Sequence, residues 1–160
     1  MPAFEGRPVA TGPVCIVASR YNELVTTRLL DGALAACREA GLPEARVDVI
    51  WVAGAFELPA AAAAAAETGH YVAIVALGAV IRGETAHFDF VAGQAAAGLT
   101  QVSVQHAIPV AFGVLTTDTL PQALARAGGD AGNKGHEAAM AALRLADGLR
   151  QLREAHGRQA

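Results

Sequence analysis

The residues best suited to chemistry lie in loops that follow apolar runs of the sequence. His87 ends a polar, glycine-containing loop that begins at Gly78, and an imidazole there can transfer protons near neutral pH. Tyr21 and Phe56 each follow another apolar run, and either ring can stack on a planar ligand. These residue types predict proton transfer on a small molecule that contains a planar ring.

Two further regions supply side chains for an anion. Arg126 precedes the glycine-rich stretch 128–135, which contains Lys134 and leads into the last predicted helix. A guanidinium, an ammonium group and free backbone N–H groups at a helix start suit a phosphate. Arg82, in the same loop as His87, is the other candidate for an anion ligand.

Each of these residues also has a purely structural interpretation. His87 can be a helix-start residue bonded to backbone, and Tyr21 and Phe56 can simply fill the edge of a sheet. Phe112 lies inside an apolar run and is more typical of a core residue. Arg126 near the end of a short helix can serve only to complement the helix dipole.

Composition excludes several classes of protein. The chain has 160 residues, of which 53% are hydrophobic and 17% charged, so it is not expected to be disordered. The formal net charge of −3 argues against a nucleic-acid partner. The low charge also suggests that part of the surface is a subunit interface.

Features of membrane and secreted proteins are not expected either. The longest apolar run, 58–66, is too short for a membrane span, and the first residues do not have the pattern of a signal peptide. Cys15 and Cys37 form no CxxC motif, which suits a reducing cytoplasm. The sequence therefore predicts a cytoplasmic protein.

Familiar cofactor and nucleophile motifs are missing. GxGxxG, GxxxxGK[ST] and GxSxG do not occur, which argues against dinucleotide, P-loop and serine-hydrolase chemistry. No second ligand lies at metal-binding spacing from His87, so a metal site is not expected.

Strands and helices alternate along the chain in a pattern typical of an α/β protein. The apolar runs predict strands over 14–18, 47–52, 71–77 and 110–115. Periodic stretches predict helices over 22–40, 58–67 and 88–106, a short one beginning at Thr119 and a last one from Asn133. We expect one domain over 1–160 with a four-stranded parallel sheet between two helical layers. Residues 1–12 would form an arm able to add to a neighbour's sheet, and 157–160 a frayed tail.

Four segments carry a resemblance to a known family. They are VAGAFELP (52–59), ALGAVIRGETAHFD (76–89), FGVLTT (112–117) and RAGGDAGNKG (126–135). In this order and spacing they resemble 6,7-dimethyl-8-ribityllumazine synthases, the penultimate enzymes of riboflavin biosynthesis. The resemblance implies a flavodoxin-like α/β/α fold and a cofactor-free transferase. Its reaction would condense 5-amino-6-(D-ribitylamino)uracil with 3,4-dihydroxy-2-butanone 4-phosphate, releasing phosphate and water.

The resemblance also implies a role for particular residues. His87 would be the proton donor and acceptor. The residues expected at the ribitylaminouracil are Tyr21, Ala55, Phe56, Glu57, Ala79, Val80, Ile81 and Phe112. The residues expected at the butanone phosphate are Glu84, Thr85, Arg126 and Lys134. Two positions depart from the family pattern: Ala53 stands where many relatives have proline, and Tyr21 adds a hydroxyl to the stacking ring.

The family's assembly completes these expectations. Phe112 and Arg126 match residues that reach in from an adjacent subunit, so a homo-oligomer with shared sites is implied. That oligomer would be a pentamer, and the compact turn 128–135 resembles that of relatives that build a sixty-subunit icosahedral shell. Riboflavin synthase is the further partner suggested. The alternatives are a relative with altered activity, a lumazine- or flavin-binding or scaffold protein, and a generic flavodoxin-like binding module.

Overall fold

The computed structural model describes residues 1–157, and its sheet contains four parallel strands in the order β2-β1-β3-β4. The strands are β1 (Val14–Ser19), β2 (Val47–Val52), β3 (Ala73–Ile81) and β4 (Val110–Thr117). The helices are α1 (Glu23–Glu39), α2 (Leu58–Glu67), α3 (His87–His106), α4 (Leu120–Ala125) and α5 (Lys134–Ala155). A small antiparallel hairpin, β5 (Ala127–Gly129) and β6 (Gly132–Asn133), joins α4 to α5. Residues 158–160, most of the expected frayed tail, lie outside the described residues.

Helices cover both faces of the sheet because successive strand residues point to opposite sides. One apolar cluster joins the sheet to α1 and α5, and includes Ile16, Val75, Leu29 and Leu143. The other joins it to α2 and α3, and includes Val17, Ala76, Leu58 and Leu99. The predicted three-layer α/β/α fold is thereby confirmed. Within residues 1–157, no helix combines the length and apolar character that crossing a bilayer requires.

Strand β3 corrects one boundary drawn from the sequence. The predicted strand ended at Leu77, and 78–81 were assigned to a polar loop, whereas β3 continues to Ile81. The reason is that β4 runs alongside β3 to the end, with Gly78 opposite Val114 and Ile81 opposite Thr117. Ladder bonds to β4 and burial on both faces of the sheet thus extend the strand beyond its predicted end.

The first residues lie against helix α5 of their own chain. The buried carboxylate of Asp147 accepts the backbone N–H of Arg7 at 2.9 Å and also bonds Arg150 and Gln151. Gly6 is required there, since a side chain at this position would collide with the carbonyl of Arg144. The arm is therefore fastened at residues 5–7, and its pairing with a neighbour's sheet stays a prediction.

We expect Asp147→Asn to destabilise the fold by about 1–3 kcal/mol, because three hydrogen-bond donors lose a buried, charged acceptor. The bonds from Arg7, Arg150 and Gln151 hold the pKa of Asp147 well below its usual range. Its contribution is therefore present above about pH 4 and lost as the pH falls below that value. Urea unfolding at pH 7 and at lower pH, at one protein concentration, measures both effects.

Asp31, an exposed carboxylate on α1, provides the matched control as Asp31→Asn. The control should unfold like the wild type at pH 7. Equal midpoints for Asp147→Asn and Asp31→Asn would contradict a stabilising role for the buried carboxylate.

Candidate functional site

A cleft of about 720 Å³ opens at the carboxyl edge of the sheet. The segments after β1, β2 and β3 meet the first turn of α3 there, as expected for ligand sites in open parallel sheets. Of the residues selected from the sequence, those that line it are Tyr21, Ala55, Phe56, Glu57, Ala79, Val80, Ile81, Thr85 and His87.

Aromatic rings stand at the cleft with much of their surface free. Tyr21 is 73% exposed, Phe56 59% and Phe90 69%. The backbone N–H of Tyr21 donates to the carbonyl of Ala53 at 2.9 Å, which fastens the segment after β1 to the segment after β2. Exposed rings on a fixed backbone can hold a planar ligand by stacking.

The end of β3 offers backbone groups to the cleft. β1 pairs with β3 only as far as Leu77, whereas β4 accompanies β3 to Ile81. Over 78–81 the β3 edge on the β1 side therefore runs beyond its partner strand. Asn22 uses part of this edge, since its side-chain amide donates to the carbonyl of Ala79 at 2.8 Å. The rest of the edge is suited to a ligand with amide-like donors and acceptors.

Sequence reasoning did not select Asn22 as a site residue. Asn22 adopts a left-handed backbone conformation, with φ of 62°, directly before α1. Asparagine tolerates this conformation better than most residues, and this property was the available signal. Phe88 and Phe90 do line the cleft and were likewise missed, although two aromatic residues in the first turn of a helix are unusual enough to notice.

His87 is exposed and is the first residue of α3. Its backbone N–H donates to the hydroxyl of Thr85 at 3.4 Å, so the loop turns tightly into the helix. The N-terminus of this helix carries a partial positive charge that favours an anion. Glu84 lies in the same loop and is exposed.

Glu57 already has one structural partner. Its carboxylate accepts the backbone N–H of Gly54 at 3.1 Å, which closes the turn between β2 and α2. A carboxylate can accept further hydrogen bonds, so Glu57 can still bind ligand hydroxyl groups.

Arg126 and Lys134 are not part of this cleft. Arg126 caps α4 and donates to the carbonyl of Gln122 at 3.0 Å, and its own carbonyl accepts the backbone N–H of Lys134 at 2.8 Å. The neighbouring residues Ala123 and Ala127 belong to the α1–α5 cluster, on the other face of the sheet. Both cations are exposed and lie close together, away from the cleft of their own chain.

Phe112 is also outside the cleft. It lies on the edge strand β4, opposite Ala76, and is 37% exposed. Alternation along β4 directs it to the α2–α3 side, below the level of the cleft. It is therefore only partly a core residue.

Arg82 does not serve as a free anion ligand. Its side chain faces the carboxylates of Asp118 and Asp89, at 3.0 and 3.6 Å. Within the described part of the chain, no three His, Cys, Asp or Glu side chains are grouped as a metal site would need.

The match to a known family covers both the cleft and the segments around it. A family model described as 6,7-dimethyl-8-ribityllumazine synthase matches residues 12–150 of the 160. The matched range includes all four strands of the parallel sheet, helices α1 to α4 and most of α5. The chain therefore belongs to the 6,7-dimethyl-8-ribityllumazine synthase family, which consists of transferases of riboflavin biosynthesis.

Proposed function

We propose that the chain condenses 5-amino-6-(D-ribitylamino)uracil with 3,4-dihydroxy-2-butanone 4-phosphate to give 6,7-dimethyl-8-ribityllumazine. The observation that carries the proposal is the cleft itself. It combines free aromatic rings, the open edge of β3 and His87 at the start of a long helix. Family membership supports the same reaction.

The proposed reaction consists of proton transfers around carbon–nitrogen bond formation. The substrate amine attacks the ketone, water leaves, and an imine forms. A base then removes the proton from the carbon that bears the hydroxyl group, and phosphate leaves the adjacent carbon with the electrons of its C–O bond, which gives an enol. Proton transfer converts the enol to a ketone, and the second nitrogen attacks this ketone and closes the ring with loss of another water. None of these steps needs a redox cofactor, so the protein has to position two substrates and move protons.

The uracil end of the cleft is assigned by its hydrogen-bonding character. A uracil ring carries N–H and C=O groups on its edges, and we assign them to the backbone of Ala79, Val80 and Ile81, where β3 runs beyond β1. Tyr21 and Phe56 would hold the faces of the ring. We assign the ribityl hydroxyls to Glu57 and the backbone beside Ala55, because hydroxyl groups can donate to the remaining carboxylate lone pairs.

The phosphate end is assigned to the loop before α3. Backbone N–H groups at Glu84 and Thr85 and the helix dipole favour a dianion there, and the exposed side chain of Glu84 would point to solvent. His87 would then lie between the phosphate end and the ring end, where protons have to move. The cationic side chains at the phosphate, Arg126 and Lys134, would come from the adjacent subunit.

A shared site requires an oligomer, which we propose to be a pentamer. One support is that Arg126, Lys134 and Phe112 lie away from their own chain's cleft. Another is that the apolar side chains of Phe90 and Val104 on α3 are strongly exposed, as interface residues would be in a separate chain. The hairpin β5–β6 is tight, with Gly129 opposite Gly132. Because a compact turn here resembles that of relatives that build shells, it supports a sixty-subunit icosahedral shell. Riboflavin synthase as a partner and a cytoplasmic location complete the proposal.

We expect purified protein to accelerate formation of the lumazine from the two substrates. The product's fluorescence follows the rate, and a protein-free control measures the background, because amines and ketones also condense in water. The size of the assembly is measured on the same sample by light scattering, so that activity can be assigned to pentamers or shells.

A rate equal to the background, from protein shown to be pentameric or larger, would contradict the proposed reaction. Tight binding of lumazine without turnover would then indicate a binding or scaffold protein. Flavin binding by a monomer would indicate a flavodoxin-like binding module instead.

A further inference from the structure

Arg82 connects β3, β4 and α3 beside the cleft. Its backbone N–H donates to the carbonyl of Thr117 at 2.8 Å, and its side-chain Nε donates to Asp118 at 3.0 Å, so it ties the end of β3 to the end of β4. Its guanidinium carbon lies 4.3 Å from the centre of the Phe88 ring. A second guanidinium nitrogen lies 3.6 Å from Asp89.

These contacts fix both ends of one short loop. Residues 82–86 leave β3 and enter α3, and every residue from Arg82 to His87 is exposed. Phe88 and Asp89 follow His87 directly in the first turn of α3. Holding them against Arg82 therefore fixes the direction in which the His87 side chain leaves the helix.

We propose that Arg82 is the positioning residue for His87, acting through Phe88 and Asp89 to hold the imidazole over the cleft. This inference rests on the proposed function, because it assigns His87 to proton transfer. Arg82 itself does not line the cleft, and its guanidinium is already engaged with two carboxylates and a ring.

The planar guanidinium is essential to this arrangement. It can face Asp118 and Asp89 with separate nitrogens while its plane lies on an aromatic ring, which a lysine ammonium cannot do. The individual contacts are exposed and each is weak. Together they would fix the orientation of the His87 imidazole, and even a small displacement of a catalytic group lowers the reaction rate.

Arg82→Gln is expected to lower kcat about tenfold, with little change in KM for either substrate, because several weak contacts are lost together. Arg82→Lys should recover only part of the loss. In a His87→Gln background, Arg82→Gln should cost nothing further, since the residue it positions is already absent. The matched control is Arg153→Gln, because Arg153 contacts the opposite end of α3, donating to the carbonyl of Ala107.

Amide hydrogen exchange in residues 83–90 is measured on the same proteins. We expect faster exchange there in Arg82→Gln and wild-type exchange in Arg153→Gln. Three results would each overturn the inference. Amide exchange could be unchanged in Arg82→Gln, Arg82→Gln could lower kcat tenfold again in the His87→Gln background, or Arg82→Gln could change only KM for the phosphate substrate. The wild type could form lumazine no faster than the protein-free control while Arg82→Gln still exchanged its amide hydrogens faster in residues 83–90. That result would overturn the proposed function but support the positioning of the loop by Arg82.

Discussion

His87→Ala is expected to lower kcat for the condensation about 10²-fold, the contribution typical of a general acid–base residue. The assembly should stay intact, because His87 is exposed and its hydrogen bond to Thr85 uses the backbone rather than the ring. Steady-state rates, corrected for the protein-free background, measure the loss. Light scattering on the same sample confirms that the oligomer is unchanged.

The chain offers a matched control for this change in His106, the last residue of the same helix. His106→Ala removes an exposed imidazole at the far end of α3 and should leave kcat at the wild-type value. His87→Gln separates the two functions of the ring, since glutamine can hydrogen bond but cannot exchange a proton near neutral pH. A wild-type rate in His87→Ala would remove this residue from the mechanism, and a wild-type rate in His87→Gln alone would leave it a hydrogen-bonding role without proton transfer.

The fold was predictable because apolar periodicity and helix signals agree along the chain. Val47–Val52 and Leu58–Glu67 have the bounds that the sequence predicted. The side-chain hydroxyl of Thr119 accepts the backbone N–H of Gln122 at 3.3 Å, as expected for the residue that caps the start of α4. The end of β3 was placed too early, because Gly78 interrupts the apolar run and the polar residues after Ile81 resemble a loop until β4 is placed beside the strand.

Part of the cleft was also predictable, for a topological reason. Loops that follow parallel strands must meet at one edge of the sheet, so Tyr21, Phe56 and His87 were expected near each other and are. Asn22 was missed because its role depends on a left-handed backbone and on the carbonyl of Ala79, fifty-seven residues away. Such a contact between distant segments leaves no local pattern in the sequence.

Arg82 illustrates how one sequence signal supports two incompatible roles. An arginine in a glycine-containing loop beside a histidine suggests an anion ligand. The structure instead surrounds Arg82 with Asp89, Asp118 and Phe88. Both carboxylates were visible in the sequence, but their approach to Arg82 depends on how β4 and α3 are placed.

Arg126→Ala is expected to raise KM for the butanone phosphate strongly while leaving KM for the ribitylaminouracil near its wild-type value. A guanidinium binds a phosphate dianion with charge-assisted hydrogen bonds, and alanine supplies none. Initial rates at varied concentrations of each substrate measure the two constants. The control is Arg144→Ala, an exposed arginine on α5 that lies beside the N-terminal arm. A wild-type KM for the phosphate substrate would show that Arg126 is not the phosphate ligand.

Mixing two impaired variants then tests which chain supplies Arg126. If His87 of one subunit acts with Arg126 of its neighbour, random oligomers of His87→Ala and Arg126→Ala mixed in equal amounts contain about a quarter of sites with both native residues. Assayed with the butanone phosphate well below its KM for Arg126→Ala, such oligomers should regain activity well above either parent. If both residues of a site came from one chain, every site would lack one of them and mixing would restore nothing. Because Arg126 lies across the sheet from its own chain's cleft, we expect the mixture to be active.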